Sequence, residues 1–379
     1  MVDYGFFYSL AEAPFEFPEK HLTTPEVLRW IYNSEFSTRF EQIPETITSI
    51  PIQQTNLHTG VMPFSFGKDS LLTFALTKEL SITMYPVFFV EPACPTQNGI
   101  KKKLYGNFIK EQNVSIQLFN NTLGNLRQPG GMMWGWDMLL TQYTLLLIPF
   151  LYAHKARYLF WSNEQSLNEN NTNQEGYRIN PTHDQSSQWV LHLNNLLRSY
   201  SLNTTVSSII EPLHELLILY ILHKRYPDIG KYQLSCDSET KRKKRWCGRC
   251  SECARVYIFM KAIGVDPKTI GLVDDMLKTK HEKLFYLFDK PKTPGELNTL
   301  TQSYGERLLA FYIAYKRGVT GDLMDKFVKT LLPVVEKQIK HLFNTYLTIH
   351  TPVTIEKTLY QKLVPIYRRE RNRFLKEII

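Results

Sequence analysis

Val61-Met62-Pro63-Phe64-Ser65-Phe66-Gly67-Lys68-Asp69-Ser70-Leu71-Leu72 is the stretch from which the fold of this chain is read. Residues 60–65 read as a short strand. Residues 69–80 read as a helix with Leu71, Leu72, Ala75, Leu76 and Leu80 on one face. A short loop between strand and helix aims unpaired backbone N–H groups and the positive helix end at one point. That is an anion site before any side chain contributes. Gly67 lets the backbone approach an oxyanion closely. Ser65 and Ser70 offer hydroxyls, and Lys68 adds a mobile point charge. Asp69 would repel a phosphate, so it implies a bridging Mg²⁺ or a hydrogen bond that shapes the loop. The Walker loop is a different pattern, Gly-x4-Gly-Lys-Ser/Thr. The plainer reading is a helix capped by Ser65 or Ser70.

Outward from this stretch, strand and helix patterns alternate. Strands are expected at 83–90, 114–119, 157–161 and 206–210. Helices are expected at 104–111, 137–154, 186–200 and 213–226. This order predicts an α/β fold, a mostly parallel sheet with helices on both faces. Residues 1–58 read as an aromatic- and Pro-rich N-terminal cap, with one amphipathic helix near 25–34. Residues 59–268 form the α/β domain. Residues 269–379 form a helical C-terminal domain, with helices expected at 308–317, 322–343 and 355–375.

Cys236, Cys247, Cys250 and Cys253 follow C-x10-C-x2-C-x2-C. Four thiolates satisfy tetrahedral zinc and leave no open position, so such a site is structural. The run Lys241-Arg242-Lys243-Lys244-Arg245 offsets the negative charge of a Zn(Cys)4 centre. An iron–sulfur cluster or free thiols are the other readings.

The chain has 379 residues, 43% hydrophobic and 21% charged, so two or three packed units are expected. Its formal charge of +9 suits a nucleotide or tRNA as readily as a solvated basic surface. No basic n-region followed by an apolar h-region opens the chain. The apolar stretch 138–153 is shorter than the roughly 20 residues a bilayer needs. A cytoplasmic protein with no membrane partner is therefore expected.

Ser65-Phe66-Gly67-Lys68-Asp69-Ser70 resembles the Ser-Gly-Gly-x-Asp-Ser pyrophosphate loop of the N-type ATP pyrophosphatases, or PP-loop superfamily. Phe66 stands where the family has its first Gly, and Phe is expected to fit only with negative φ. Trp246-Cys247-Gly248-Arg249-Cys250-Ser251-Glu252-Cys253-Ala254-Arg255 is similar to the metal segment of 7-cyano-7-deazaguanine synthases. It is closer still to that of UDP-N-acetylmuramoyl-L-alanyl-L-glutamate epimerases. Order and spacing agree over residues 61 to about 265. The resemblance implies an adenine nucleotide alpha hydrolase-like (HUP-type) fold binding ATP and Mg²⁺. A substrate oxygen would attack the α phosphorus, forming an adenylate and pyrophosphate. A small-molecule or peptide carboxylate is the expected acceptor. Adenylation of tRNA or a deazapurine, with the basic segment 368–373 on RNA, is one alternative. A nucleotide-binding module without chemistry is the other.

The segment Phe160-Trp161-Ser162-Asn163-Glu164-Gln165-Ser166 follows an expected strand and so belongs at the carboxyl edge of the sheet, where ligands bind. It resembles the epimerase Gly-Asn-Glu-Arg-Ser, with Gln165 in place of Arg. Asn163 and Glu164 are thus candidates for ribose, magnesium or substrate, and the plainer reading is a polar capping loop. His183, beside Asp184, is a candidate acid–base group. The expected catalytic set is Lys68, Asp69, Glu164 and His183. The expected nucleotide-binding set is Ser65 to Ser70 with Asn163.

Overall fold

In the computed structural model, residues 52–126, 139–172, 178–180, 182–288 and 304–378 are described, with positions 25, 26, 29 and 33. The N-terminal cap therefore falls almost wholly outside the described residues, although those four positions are helical, in line with a helix near 25–34.

Five parallel strands form the sheet: β1 (Asn56–Pro63), β2 (Thr83–Val90), β3 (Gln117–Asn120), β4 (Ala156–Phe160) and, after a two-stranded antiparallel ribbon β5 (Asn171–Thr172) and β6 (Arg178–Ile179), β7 (Thr205–Ser207). Their order is β3-β2-β1-β4-β7. The helices are α1 (Lys68–Glu79), α2 (Pro95–Gln112), α3 (Leu139–Ala153), α4 (Ser187–Ser199), α5 (Glu215–Arg225), the short α6 (Pro227–Gly230) and α7 (Ser251–Ala262), followed by α8 (Tyr304–Lys316), α9 (Asp322–Thr330), α10 (Leu332–Tyr346) and α11 (Lys357–Ile378).

Side chains alternate across each strand, so neighbouring residues serve opposite cores. Val61, Val87 and Phe89 pack with Leu147 and Leu151 of α3 and Val190 and Leu193 of α4. Met62, Phe64, Met84 and Phe88 pack with Leu71 and Leu72 of α1 and with α5. Helices thus cover both faces, as the α/β pattern predicts. Strand order reverses between β1 and β4, and open α/β sheets bind ligands at the carboxyl ends of the strands at such a point.

Helix α5 explains where the C-terminal helices sit. Its residues Glu215 to His223 are all buried, and a helix apolar all round must be covered on every side. The core on its outer face continues through Leu309, Phe311 and Phe374 without a break. Polar ties reinforce that junction. Tyr158 donates to the Glu356 carboxylate at 3.2 Å, and the Glu211 carboxylate accepts from the Thr354 N–H at 3.0 Å.

The single helix expected at 322–343 is two, α9 and α10, parted at Leu331. Pro333 lacks an N–H and occupies the first turn of α10, where that loss is harmless. The basic run 368–373 is partly internal: Arg371 donates to the Leu347 carbonyl, and Glu370 accepts from Arg225 at 2.9 Å. Arg369 and Arg373 remain more than half exposed. No helix among the described residues is long and apolar enough to cross a membrane.

Candidate functional site

The loop between β1 and α1 takes its shape from Phe66. Its φ is 60°, the left-handed region, so the expected negative φ is wrong. For a residue other than Gly this conformation costs roughly 1–2 kcal/mol. Full burial of a Phe ring contributes about 1.5–3 kcal/mol. The ring is 1% exposed against Phe64 and Phe108, with centroids at 4.9 and 5.5 Å, so burial outweighs strain. The ring turns into the core, leaving Ser65 exposed and Gly67 and Asp69 half-buried at the loop. The Phe66 carbonyl accepts from the Leu234 N–H at 2.8 Å, which braces the loop against the metal segment.

Gly67 is the N-cap of α1, and no side chain caps the helix. The expected alternative, capping by Ser65 or Ser70, therefore does not occur. Both hydroxyls serve the loop instead. Ser65 Oγ accepts from the Gly67 N–H at 3.2 Å, and Ser70 Oγ donates to the Gly67 carbonyl at 3.1 Å. Helix α1 begins just after the carboxyl end of β1, and its N-cap residue makes no side-chain hydrogen bond to the first-turn N–H groups.

Lys68 is a buried cation rather than the mobile charge its place in the loop suggests. Its ammonium donates to Asp69 at 2.8 Å and to Glu164 at 3.1 Å, with Glu215 at 3.9 Å. Arg255 joins Glu215 at 2.8 Å and Glu252 at 2.6 Å. The network draws residues from the start of α1, from the loop after β4, from the start of α5 and from α7. Burial disfavours the Lys68 ammonium, but Asp69, Glu164 and Glu215 outweigh it and raise its pKa. Burial likewise opposes Glu164, yet Lys68, the Ser166 hydroxyl and Arg255 hold its pKa below the usual range. Burial pushes Glu215 up to about 7, against the pull of Arg255 and Lys68. Asp69 is pushed up to about 6 by the same burial, offset in part by Lys68, while 30% of its side chain stays at the surface. Glu169, at the far end of the 3-10 turn Gln165–Asn168 after Glu164, is pushed up to about 7 by burial and by Glu164.

Several buried polar atoms along this edge have no hydrogen-bond partner in the protein: Ser162 Oγ, Asn163 Nδ2, Ser207 Oγ and His214 Nδ1. Native proteins satisfy most such groups, so a cluster of exceptions marks a place for a ligand. Ser162 and Asn163 follow β4, which pairs Phe160 with Ser207 of β7. The Asn163 carbonyl accepts from Ser208 Oγ at 2.6 Å, which fixes its backbone and leaves the amide nitrogen free. His214 is pushed down to about 4 by burial and by His350, with Glu164 opposing, so it is neutral near pH 7.

His183 forms no hydrogen bond or ion pair with the Lys68 network, although its turn packs against the 3-10 turn Gln165–Asn168 that follows Glu164. It sits in the 3-10 turn His183–Gln185, its ring 5.6 Å from that of Trp189, and its carbonyl accepts from Ser186 Oγ. Glu215 lies at the start of the helix expected at 213–226 and Arg255 ends the quoted metal segment, but neither stands in the expected site. The available signal was a charged residue set in an apolar run, Glu215-Leu-Leu-Ile-Leu and Ala-Arg255-Val-Tyr-Ile-Phe. Charges there are almost never buried unless paired.

Cys236, Cys247, Cys250 and Cys253 form no disulfide, and their sulfurs all lie within 4.8 Å of one another. Cys236–Cys250, Cys247–Cys253 and Cys250–Cys253 are 3.9, 3.6 and 3.4 Å apart. A tetrahedron with Zn–S bonds of about 2.3 Å has edges of about 3.8 Å, so the set can hold a metal ion of this size. Arg242 donates to Cys236 Sγ at 3.3 Å, the charge relief expected of the basic run. Gly248 turns the chain between two ligands at φ 66°, and a Cβ there would meet Asp274 at 2.3 Å. Trp246, 1% exposed, donates to the Ile270 carbonyl at 2.7 Å and anchors the segment.

No protein-family model matches the chain, and no curated protein matches it.

Proposed function

We propose that this chain is an adenylating enzyme of the ATP pyrophosphatase type. It would transfer AMP from ATP to a carboxylate or carbonyl oxygen of a small molecule or peptide precursor. One observation carries this reading. An uncapped helix N-terminus and a buried network of Lys68, Asp69, Glu164 and Glu215 meet where the strand order reverses. The resemblance of the loop and metal segment to the PP-loop superfamily supports it.

In this reading the α1 amides and the Ser65 hydroxyl bind the β and γ phosphates. A substrate oxygen forms a bond to the α phosphorus, the bond from that phosphorus to the bridging oxygen breaks, and diphosphate leaves with the electron pair. Asp69 and Glu164 are the oxygen donors suited to Mg²⁺, which would supply positive charge at the departing diphosphate. Lys68 holds both carboxylates in place and keeps them charged. Asn163 Nδ2 and Ser162 Oγ offer donors to the sugar or the substrate. The four cysteines would hold Zn²⁺ as a structural ion bracing the loop through Leu234 and Phe66. Catalysis would be mostly positioning and charge stabilisation.

The test is incubation with ATP, Mg²⁺ and a panel of carboxylates, following AMP and pyrophosphate by mass. Asp69→Asn and Glu164→Gln should each slow AMP formation by about 10²-fold or more, the usual effect of removing one preorganised electrostatic group. Unchanged rates in both variants would overturn the proposal.

A further inference from the structure

The C-terminal helix α8 carries a charge that the packing does not explain. Arg307 is 1% exposed, and its Nε and Nη2 have no hydrogen-bond partner. It forms no ion pair among the described residues. Its neighbour Glu306 accepts from the Leu216 N–H at 2.7 Å, which pins the start of α8 onto the first turn of α5. That is the turn bearing Glu215. The groups whose charge acts on Arg307 are Arg255, Glu215, Tyr304 and Glu252. Burial first, and Arg255 second, push it down to about 10, with Glu215 opposing. Arg307 thus stands beside the Lys68 network, next to an arginine whose own charge is already matched by Glu215 and Glu252.

A buried guanidinium without a counter-ion destabilises a fold, and an apolar side chain of similar volume would fill the same space at lower cost. The two free nitrogens are significant as a pair. Nε–H and Nη2–H lie on one edge of the guanidinium plane and point the same way, the fork that matches both oxygens of a carboxylate. The acids whose charge acts there, Glu215 and Glu252, make a carboxylate group, with one negative charge at the fork, a better fit than a polyphosphate.

We infer that Arg307 clamps a carboxylate of the second substrate. The inference rests on the adenylation reading for the identity of that substrate, and it makes α8 part of the binding site rather than a cover for α5. Arg307 is a binding residue here, and its fork sets the orientation in which a carboxylate enters.

Thermal melting of the full chain tests this with sodium glutarate as the carboxylate probe, against sodium chloride at equal ionic strength. Wild type should melt higher in glutarate. Arg307→Met should lose that rise and, in chloride, should melt a few degrees above wild type because an unmatched charge is gone (about 2–4 °C per kcal/mol for a chain somewhat smaller than this one). Arg307→Lys, which keeps the charge and loses the fork, should keep less than half of the glutarate rise. An equal glutarate rise in wild type and Arg307→Met overturns the proposal, and so does Arg307→Met melting below wild type in chloride. If Arg307→Met does not fold, Arg307→Lys decides: a glutarate rise equal to that of wild type overturns the clamp. ATP with Mg²⁺ is the separate arm. Equal stabilisation of wild type and variant by ATP keeps the nucleotide reading when the clamp fails. Stabilisation of neither by ATP sinks the nucleotide reading, while a glutarate difference still upholds the clamp.

Discussion

Phe66→Gly and Phe66→Ala separate the two energies that shape the loop after β1. The native ring is 1% exposed among Phe64, Phe88 and Phe108, and the residue holds φ at 60°. Removing a buried Phe ring costs about 3–5 kcal/mol, and both variants lose it. They differ in backbone. Alanine keeps the left-handed strain of about 1–2 kcal/mol, whereas glycine adopts that conformation freely. Glycine ordinarily loses about 0.5–1 kcal/mol to alanine through the entropy of the unfolded chain. The difference leaves Phe66→Gly more stable than Phe66→Ala by up to about 1.5 kcal/mol, the reverse of the usual order. Urea unfolding followed by fluorescence of the six tryptophans measures it. Phe66→Ala unfolding at the higher urea concentration would refute the argument that residue 66 is held in a strained conformation by its ring.

Other outcomes follow from the same structure. Glu215 has a folded-state pKa of about 7 against an ordinary 4.5, so the folded protein binds more protons between those values and loses stability as pH rises through them. Glu215→Gln should remove up to ~3 kcal/mol of that loss between about pH 5 and 7.5, and parallel denaturation profiles for variant and wild type would argue against it. Lys68→Met leaves Asp69, Glu164 and Glu215 facing one another, so it should destabilise by about 3–5 kcal/mol near pH 8 and recover in mild acid as Asp69 and Glu215 take up protons; circular dichroism melts across pH read this directly. Metal analysis of purified protein should find one zinc per chain, and stripping it should lower the melting temperature and expose the Leu234–Phe66 junction to hydrogen exchange. Iron in its place would instead indicate a cluster. Gly248→Ala meets both a positive φ and Asp274, and should cost about 1–3 kcal/mol with partial loss of bound metal.

The core elements were readable because their signals are local. The strand–loop–helix stretch around Gly67, the alternation that follows it and the spacing of four cysteines each lie within a few turns of chain. Pro333 shows the limit of that reading: the apolar period runs through residues 322–343, and only the missing N–H of one residue divides the helix. Phe66 shows another. Its positive φ depends on a ring buried against Phe108, which is distant in sequence.

What the sequence determined by itself is the parallel α/β plan, the strand–loop–helix stretch and the spacing of the four cysteines, because periodicity and short spacing encode them. Tertiary structure alone decided that Lys68 is shared among Asp69, Glu164 and Glu215, that Arg255 completes the network, and that Arg307 of a distant helix stands beside it. Apart from the adjacent Lys68 and Asp69, these residues are separated by tens to hundreds of positions. Their charges interact only after the sheet order reverses between β1 and β4 and α5 is enclosed by the C-terminal helices.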